Sequence, residues 1–289
     1  PVLTDLRRPR EAESILVRAL ESGTPNSRQL AALEHNLGVS LQLQGRHEAA
    51  LGVFDAAQSK VPEIPLTDYS RGNSLKSLGR LEQAILAYGH AIDRNPLDFR
   101  AHYELNQLLY RIGDDANFLR SYDLGAAAYS EAGGFPLDKA NFLLQIGDLE
   151  AARAHFERAI ELLPQHVMPR DGLGLTLARM GEYPEAIRAH EAVLKMEPEN
   201  ADGWRNYAET LLRSGDASKA RDAAERSLSI QPLHQGSLAL LGTAYQLLGD
   251  PRGDSLIDCE RFVRSFELSP PEGYSDIESF NRDLQIVLS

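Results

Sequence analysis

The sequence has one cysteine, Cys259, in 289 residues. A lone thiol excludes an internal disulfide and any multi-cysteine metal site, and it fits a reducing compartment, so a cytoplasmic location is expected. No apolar run approaches the ~20 residues needed to span a bilayer. Residues 1–10 carry charges and no apolar core, so they do not read as a secretory signal. The first residue is Pro1 and not Met, as in a processed or trimmed chain. Basic residues are scarce relative to acidic ones: 30 Lys and Arg against 42 Asp and Glu, a formal net charge of −12. Binding to nucleic acid or to an anionic membrane surface calls for a basic stripe, and none is visible. The acidity reads as a solvated outer face.

Chemistry-bearing strings are equally sparse. There is no His-Glu-x-x-His or Cys-x-x-Cys string. The pair Gly172 and Gly174 has no strand before it, so it reads as helix packing and not as a phosphate loop. Two His-x-Glu strings occur, His102 with Glu104 and His155 with Glu157. Both fall on predicted helices, where residues two apart point to nearly opposite sides and cannot clamp one ion. The sequence therefore implies no catalytic residue, no metal and no cofactor.

What is present is a period. Hydrophobic residues make up 43% and charged residues 25%, as in a folded chain. Glycines recur every 34 residues at Gly45, Gly79, Gly113, Gly147, Gly181, Gly215 and Gly249. Prolines recur in the same step at Pro62, Pro96, Pro164, Pro198 and Pro232, with Ser130 in the gap. Each glycine follows an apolar helical stretch, where it can take the left-handed conformation that ends a helix. Each proline then closes a second helix, because it cannot extend the hydrogen-bond ladder. One unit is thus helix, turn, helix, loop. Small residues such as Gly38, Gly72 and Gly174 sit where helices must touch, and large ones such as Phe54 and Tyr88 fill the space beside them. Ala84, Ala152, Ala186 and Ala220 are expected between helices.

These residues resemble the tetratricopeptide repeat. Trp204, Ala208, Leu211, Ala220 and Pro232 keep most of one repeat pattern. The resemblance covers residues 31 to 249 and implies an all-α, right-handed superhelix of six full repeats: 31–64, 65–98, 99–132, 133–166, 167–200 and 201–234. Residues 1–30 form a partial N-terminal repeat, in which Ala12, Leu16 and Ala19 mark a lone second helix. Leu238, Leu241, Gly242 and Tyr245 open a seventh repeat. The third repeat departs from the pattern: Asn106 and Phe118 stand where small residues are usual, and Gly125 stands for the closing Ala. Either a local repacking or a kink that shapes a ligand surface follows.

From Asp250 the pattern stops. Residues 262–268 alternate with period two, as a short strand would. Residues 270–273 read as a turn, and Ser275 with Glu278 as a capping box for a final helix carrying Phe280 and Leu284. Ile257-Asp258-Cys259-Glu260-Arg261-Phe262-Val263, Pro270-Pro271-Glu272-Gly273-Tyr274 and Ser279-Phe280-Asn281 resemble the start of a 2-oxoglutarate- and iron-dependent oxygenase domain that follows such arrays in bacterial proteins. Residues 250–289 are thus read as a mixed segment that begins a second domain, without the catalytic part of that domain.

The tetratricopeptide resemblance implies a concave groove lined by first helices. Its inward positions carry His35, Val39 and Gln42 in the first repeat; Tyr69, Asn73 and Lys76 in the second; Arg100, Tyr103, Gln107, Tyr110 and Arg111 in the third; Asn141 and Gln145 in the fourth; Asp171 and Arg179 in the fifth; and Arg205 and Glu209 in the sixth. Repeats two and three concentrate Tyr, Arg and Asn, residue types that anchor interfaces. The ligand-binding set is therefore Tyr69, Asn73, Lys76, Arg100, Tyr103, Gln107, Tyr110, Arg111 and Asn141, and its cations favour an acidic or carboxylate-bearing segment. His35 and Val39 differ from the Lys and Asn with which some relatives clamp a peptide's terminal carboxylate. The leading function is a non-catalytic protein- or peptide-binding scaffold. The alternatives are the targeting or substrate-presenting region of an oxygenase, and a structural spacer or homo-oligomer interface.

Overall fold

Each period holds an apolar-striped helix that cannot bury its face alone, a turn that reverses it, and a second helix that covers it. The computed structural model describes residues 9–22, 26–62, 67–256, 274 and 276–288. Among the described residues there are sixteen helices and no strand. They fall into two compact units, divided between Met196 and Glu197. In the first, α1 (Pro9–Ser22) precedes five hairpins: α2 (Ser27–Leu43) with α3 (His47–Lys60), α4 (Thr67–Ser77) with α5 (Leu81–Arg94), α6 (Phe99–Ile112) with α7 (Arg120–Ala128), α8 (Gly134–Ile146) with α9 (Leu149–Leu162), and α10 (Met168–Met180) with α11 (Tyr183–Met196). The second holds α12 (Ala201–Arg213) with α13 (Ala217–Ile230), then α14 (Gln235–Leu248), the short α15 (Arg252–Leu256) and α16 (Ile277–Leu288).

The turns repeat one geometry. All seven periodic glycines have positive φ, from 67° to 91°. That conformation lets the residue after each glycine donate its N–H back to a carbonyl near the helix end, satisfying an acceptor that would otherwise be orphaned. The acceptors are Leu41, Leu75, Leu109, Leu143, Leu177, Leu211 and Tyr245, again 34 residues apart. The side chains of the same seven residues are buried. One residue thus closes the turn with its backbone and fills the core with its side chain. The second helices α3, α5, α9, α11 and α13 each end two residues before a proline.

Helix pairs nest through small residues. A methyl group on Gly72 would meet Tyr88 Cε1 at 2.5 Å, and one on Gly174 would meet His190 Cε1 at 2.7 Å. Gly38 gives way to Phe54 in the same manner. Ala84, Ala152, Ala186 and Ala220 are all buried. Ala186 lies against Leu173, Leu177 and Ala178. Ala186→Leu is therefore expected to lower stability by about 1–3 kcal/mol through overpacking. A thermal melt followed by circular dichroism measures this, and a midpoint equal to the wild type would refute the packing register.

The third repeat is repacked locally. The period places the start of its second helix at Asp115, but α7 begins at Arg120. Asn106 is the cause. Its fully buried amide donates to His102 O and Ser121 Oγ, both at 2.8 Å, and its Oδ1 accepts from Leu119 N at 2.6 Å. Leu119 has φ 60°, the only positive φ at a non-glycine residue among those described. Gly125 and Gly134 leave room for Phe135 and Phe99, whose rings meet edge to face at 4.9 Å.

At the C-terminus, α16 carries Phe280 as expected, with its ring 5.2 Å from that of Tyr274. Its N-terminus is capped by Asp276, whose Oδ1 accepts from Ser279 N at 2.7 Å. Ser275, expected to cap this helix, lies outside the described residues. So do the expected strand at 262–268, the turn at 270–273 and the oxygenase-like stretch from Ile257.

Candidate functional site

Between α4 and α6 lies a cleft of about 640 Å³. Five of the nine residues expected from the sequence line it: Lys76, Tyr103, Gln107, Tyr110 and Arg111. Ser77, Glu104 and Leu108 complete the lining.

The walls are backed by buried rings. Tyr103 and Tyr110 are 41% and 51% exposed, which is high for such large apolar bodies. Each packs edge-on against the buried Phe142 of α8, at 6.1 and 6.0 Å between ring centroids. Phe118 fills the space beside them, 5.3 Å from Phe142 and 5.4 Å from Tyr110. The bulky residue in the third repeat thus supports the cleft wall from below. A bound chain would meet rings that lose little freedom on contact. Gln107 Nε2 donates to Gln145 Oε1 at 3.3 Å, bridging α6 to α8.

The charges are more balanced than the sequence implies. Lys76 Nζ bonds Glu104 Oε2 at 2.5 Å across α4 and α6. Arg100 forks onto the buried Asp98, with Nε and Nη2 at 3.1 and 3.3 Å from its two oxygens. Two of the three cations in the expected set are thus engaged by carboxylates. Arg111 keeps an exposed guanidinium without an ion pair among the described residues.

The other expected residues lie outside the cleft lining. Arg100 stacks over Tyr69, 5.0 Å from its centroid. Asn73 Oδ1 accepts from Tyr88 Oη at 2.7 Å, so that amide oxygen is already engaged. Asn141 is exposed on α8. In the first repeat His35 Nδ1 lies 3.1 Å from Thr67 Oγ1, and Gln42 Nε2 donates to Ser70 O and Ser74 Oγ of α4, both at 3.0 Å. These two tie α2 to α4. Glu104 was missed because a list of inward positions does not pair them across helices.

One carboxyl in this region stands apart. Asp138 of α8 is part-buried, and burial pushes its pKa up from 3.8 to about 6. Its charge bears on the Tyr122 hydroxyl, as does that of Tyr103. His102 stacks on Tyr122 at 5.7 Å, and burial lowers its own pKa. A carboxyl whose folded pKa is raised stabilises the fold below its unfolded value and withdraws that stability as pH rises to the folded value. Asp138→Asn should therefore gain melting temperature over the wild type between pH 4 and pH 6, and hold the gain above pH 6. Melts across that range test this. A constant difference would show that Asp138 titrates normally.

His102 is buried, with Nε2 3.0 Å from Pro96 O. No group of three His, Cys, Asp or Glu residues suited to a metal ion occurs among the described residues. No helix among them is long and apolar enough to cross a membrane.

Comparison with known proteins bears on the repeat. Models of the tetratricopeptide repeat match residues 31–56, 69–133, 137–166 and 172–234, well over half of the chain. The chain belongs to the tetratricopeptide-repeat family. It is 29% identical over 113 residues to the Hsp70-Hsp90 organizing protein of Triticum aestivum, a match covering 39% of this chain and 19% of that protein. It is 25% identical over 213 residues to the cytochrome c-type biogenesis protein CycH of Bradyrhizobium diazoefficiens, covering 68% of this chain and 54% of the relative. The chain thus spans about a fifth of the first relative and about half of the second. Among solved structures its tetratricopeptide fold is similar to yeast Tom70, with a TM-score of 0.57 at 18% identity, covering 90% of this chain and 63% of the other.

Proposed function

We propose that the protein is a non-catalytic scaffold that holds an extended protein or peptide segment along the groove formed by α4, α6 and α8. The observation that carries this reading is the cleft beside α6, where two exposed tyrosines stand on a buried phenylalanine next to an unpaired arginine. Tyr and Arg dominate binding energies at interfaces when they are held in place. Tyr69, Asn73, Arg100 and Asn141 extend the contact beyond the cleft on the same helices. The relationship to a protein named as an organizer of two chaperones supports a role in holding other proteins. Arg111 favours a carboxylate in the segment. The oxygenase-associated reading rests on the resemblance of residues 257–281 alone, and sequencing of the gene beyond the Ser289 codon tests it directly.

The groove reading is tested with peptides selected from a displayed random library against the full chain. Calorimetric titration of a selected peptide should show at least about a tenfold loss in affinity for Tyr103→Ala/Tyr110→Ala and for Arg111→Glu. Circular dichroism should remain that of the wild type, since none of the three side chains packs between the helices of a pair. Unaltered affinity in both variants would place the binding surface elsewhere.

A further inference from the structure

Tyr103, Gln107 and Tyr110 follow one another along α6 at steps of four and three residues, so they share one face of the helix. All three line the cleft. Seven residues of α-helix rise by about 10.5 Å, which sets the axial offset between the two tyrosines. Both rings are half-exposed, and both abut the same buried ring, that of Phe142. The cleft wall is thus two aromatic surfaces, a fixed distance apart, with an amide between them.

The polar groups of the cleft are one-sided. Its only carboxylate, Glu104, accepts from Lys76 Nζ at 2.5 Å. Gln107 Nε2 keeps one N–H after donating to Gln145 Oε1 at 3.3 Å. Arg111, next to Tyr110, carries only donors and has no ion pair among the described residues. The strongest acceptor is engaged and the strongest donor is free. Such a wall suits a chain that offers carbonyls and few N–H groups.

Proline has no N–H, and proline-rich segments adopt the polyproline II helix. That helix has three residues per turn, a rise of about 3.1 Å and no internal hydrogen bonds, so its carbonyls are free. Prolines three residues apart lie on one edge, about 9.3 Å from each other, close to the tyrosine offset. Same-face residues of a β-strand repeat at about 6.7 Å, which does not match. An α-helical segment can match the offset, but its carbonyls are bonded internally and give Gln107 nothing on the backbone to meet. Docking of prolines into an aromatic-lined groove is an established mode of recognition for such segments.

We infer that this wall of α6 recognises a polyproline II segment with two prolines three residues apart, one against Tyr103 and one against Tyr110. Gln107 donates to a carbonyl between them, and an acidic residue beside the proline at Tyr110 meets the Arg111 guanidinium. This rests on the groove reading above and adds to it the conformation and residue class of the bound segment.

Random peptides displayed on phage are selected on the full chain. Selection should enrich two prolines three residues apart with a nearby Asp or Glu. In calorimetric titration, moving one proline of a selected peptide by a single position should weaken binding about tenfold. That comparison uses unaltered protein, so it does not depend on any variant folding. Tyr103→Ala and Tyr110→Ala should each couple to a different proline: the losses are non-additive for a tyrosine and its own proline, and additive for the crossed pair. A nine-residue oligoproline with Glu at both ends should bind the wild type at least about tenfold more tightly than a Gly-Ser peptide with the same ends. Selected peptides that depend on Tyr103 and Tyr110 but lack a proline pair, or tolerate a changed spacing, would overturn the inference and leave the groove standing. So would peptides whose circular dichroism shows that they become helical on binding. Peptides indifferent to Tyr103→Ala/Tyr110→Ala and to Arg111→Glu, or no selected peptides at all, would overturn the groove, and the polyproline reading with it.

Discussion

Phe156→Ala is expected to lower the free energy of unfolding of the first unit by about 3–5 kcal/mol. Phe156 is completely buried in α9, in one cluster with Phe142, Leu143, Ala152 and Ala159. Its ring occupies the place where a Cβ on Gly172 of α10 would otherwise sit. The ring therefore fills the join between one hairpin and the next as well as the interior of its own. Truncation leaves a cavity that cannot easily collapse, because Ala140, Ala152 and Gly172 already hold the helix backbones at close approach. In a linear array each hairpin is stabilised mainly by its neighbours, so loss at one join weakens both sides of it. Urea unfolding followed by circular dichroism measures the effect. A loss under about 1 kcal/mol would show that the hairpins do not depend on this ring for their mutual packing.

Asn106→Leu is expected to reduce stability by about 2–4 kcal/mol, although the replacement is of similar size and fits the apolar setting. The amide makes three hydrogen bonds, and the bond from Leu119 N is made at a residue in the left-handed region. A non-glycine residue held there is strained by about 1–3 kcal/mol and persists only while its surroundings fix it. With leucine at 106 the Leu119 N–H is buried without a partner, and the turn between α6 and α7 loses its anchor. Amide hydrogen exchange at Leu119 and Ser121 should accelerate together with the fall in global stability. Protection that is unchanged at Leu119 would mean that backbone packing alone holds the turn.

The contrast between these two sites shows what the sequence discloses. Phe156 and Gly172 are legible, because large and small residues alternate on a fixed period and helix packing admits few other arrangements. The turns are legible for a similar reason: a glycine at the end of an apolar stretch has one main structural use. Asn106 is not. At a position that is usually small it reads as a misfit, and nothing in its spacing reveals that its amide reaches forward to Leu119 and delays α7 by five residues. Phe118 likewise reads as an obstruction between helices, whereas it supports the rings of Tyr110 and Phe142. At the groove, the register supplies which side chains face inward. It does not supply their partners, so Lys76 and Arg100 read as free cations until Glu104 and Asp98 are seen beside them. The final helix follows from its apolar spacing, and Asp276 accepts a capping bond from Ser279 N at its start.

The seven turn glycines also separate two properties that usually travel together, exposure and tolerance to change. All seven are exposed, and only Gly147 has a neighbour within reach of an added methyl group. Space would admit almost any residue there. Handedness would not, since an L-side chain in that conformation is disfavoured by about 1–2 kcal/mol. Substitution at the surface of this protein should therefore be permissive except for a beat every 34 residues. The constraint at each beat comes from the chirality of the amino acids and from no contact, so it cannot be relieved by changing any neighbour.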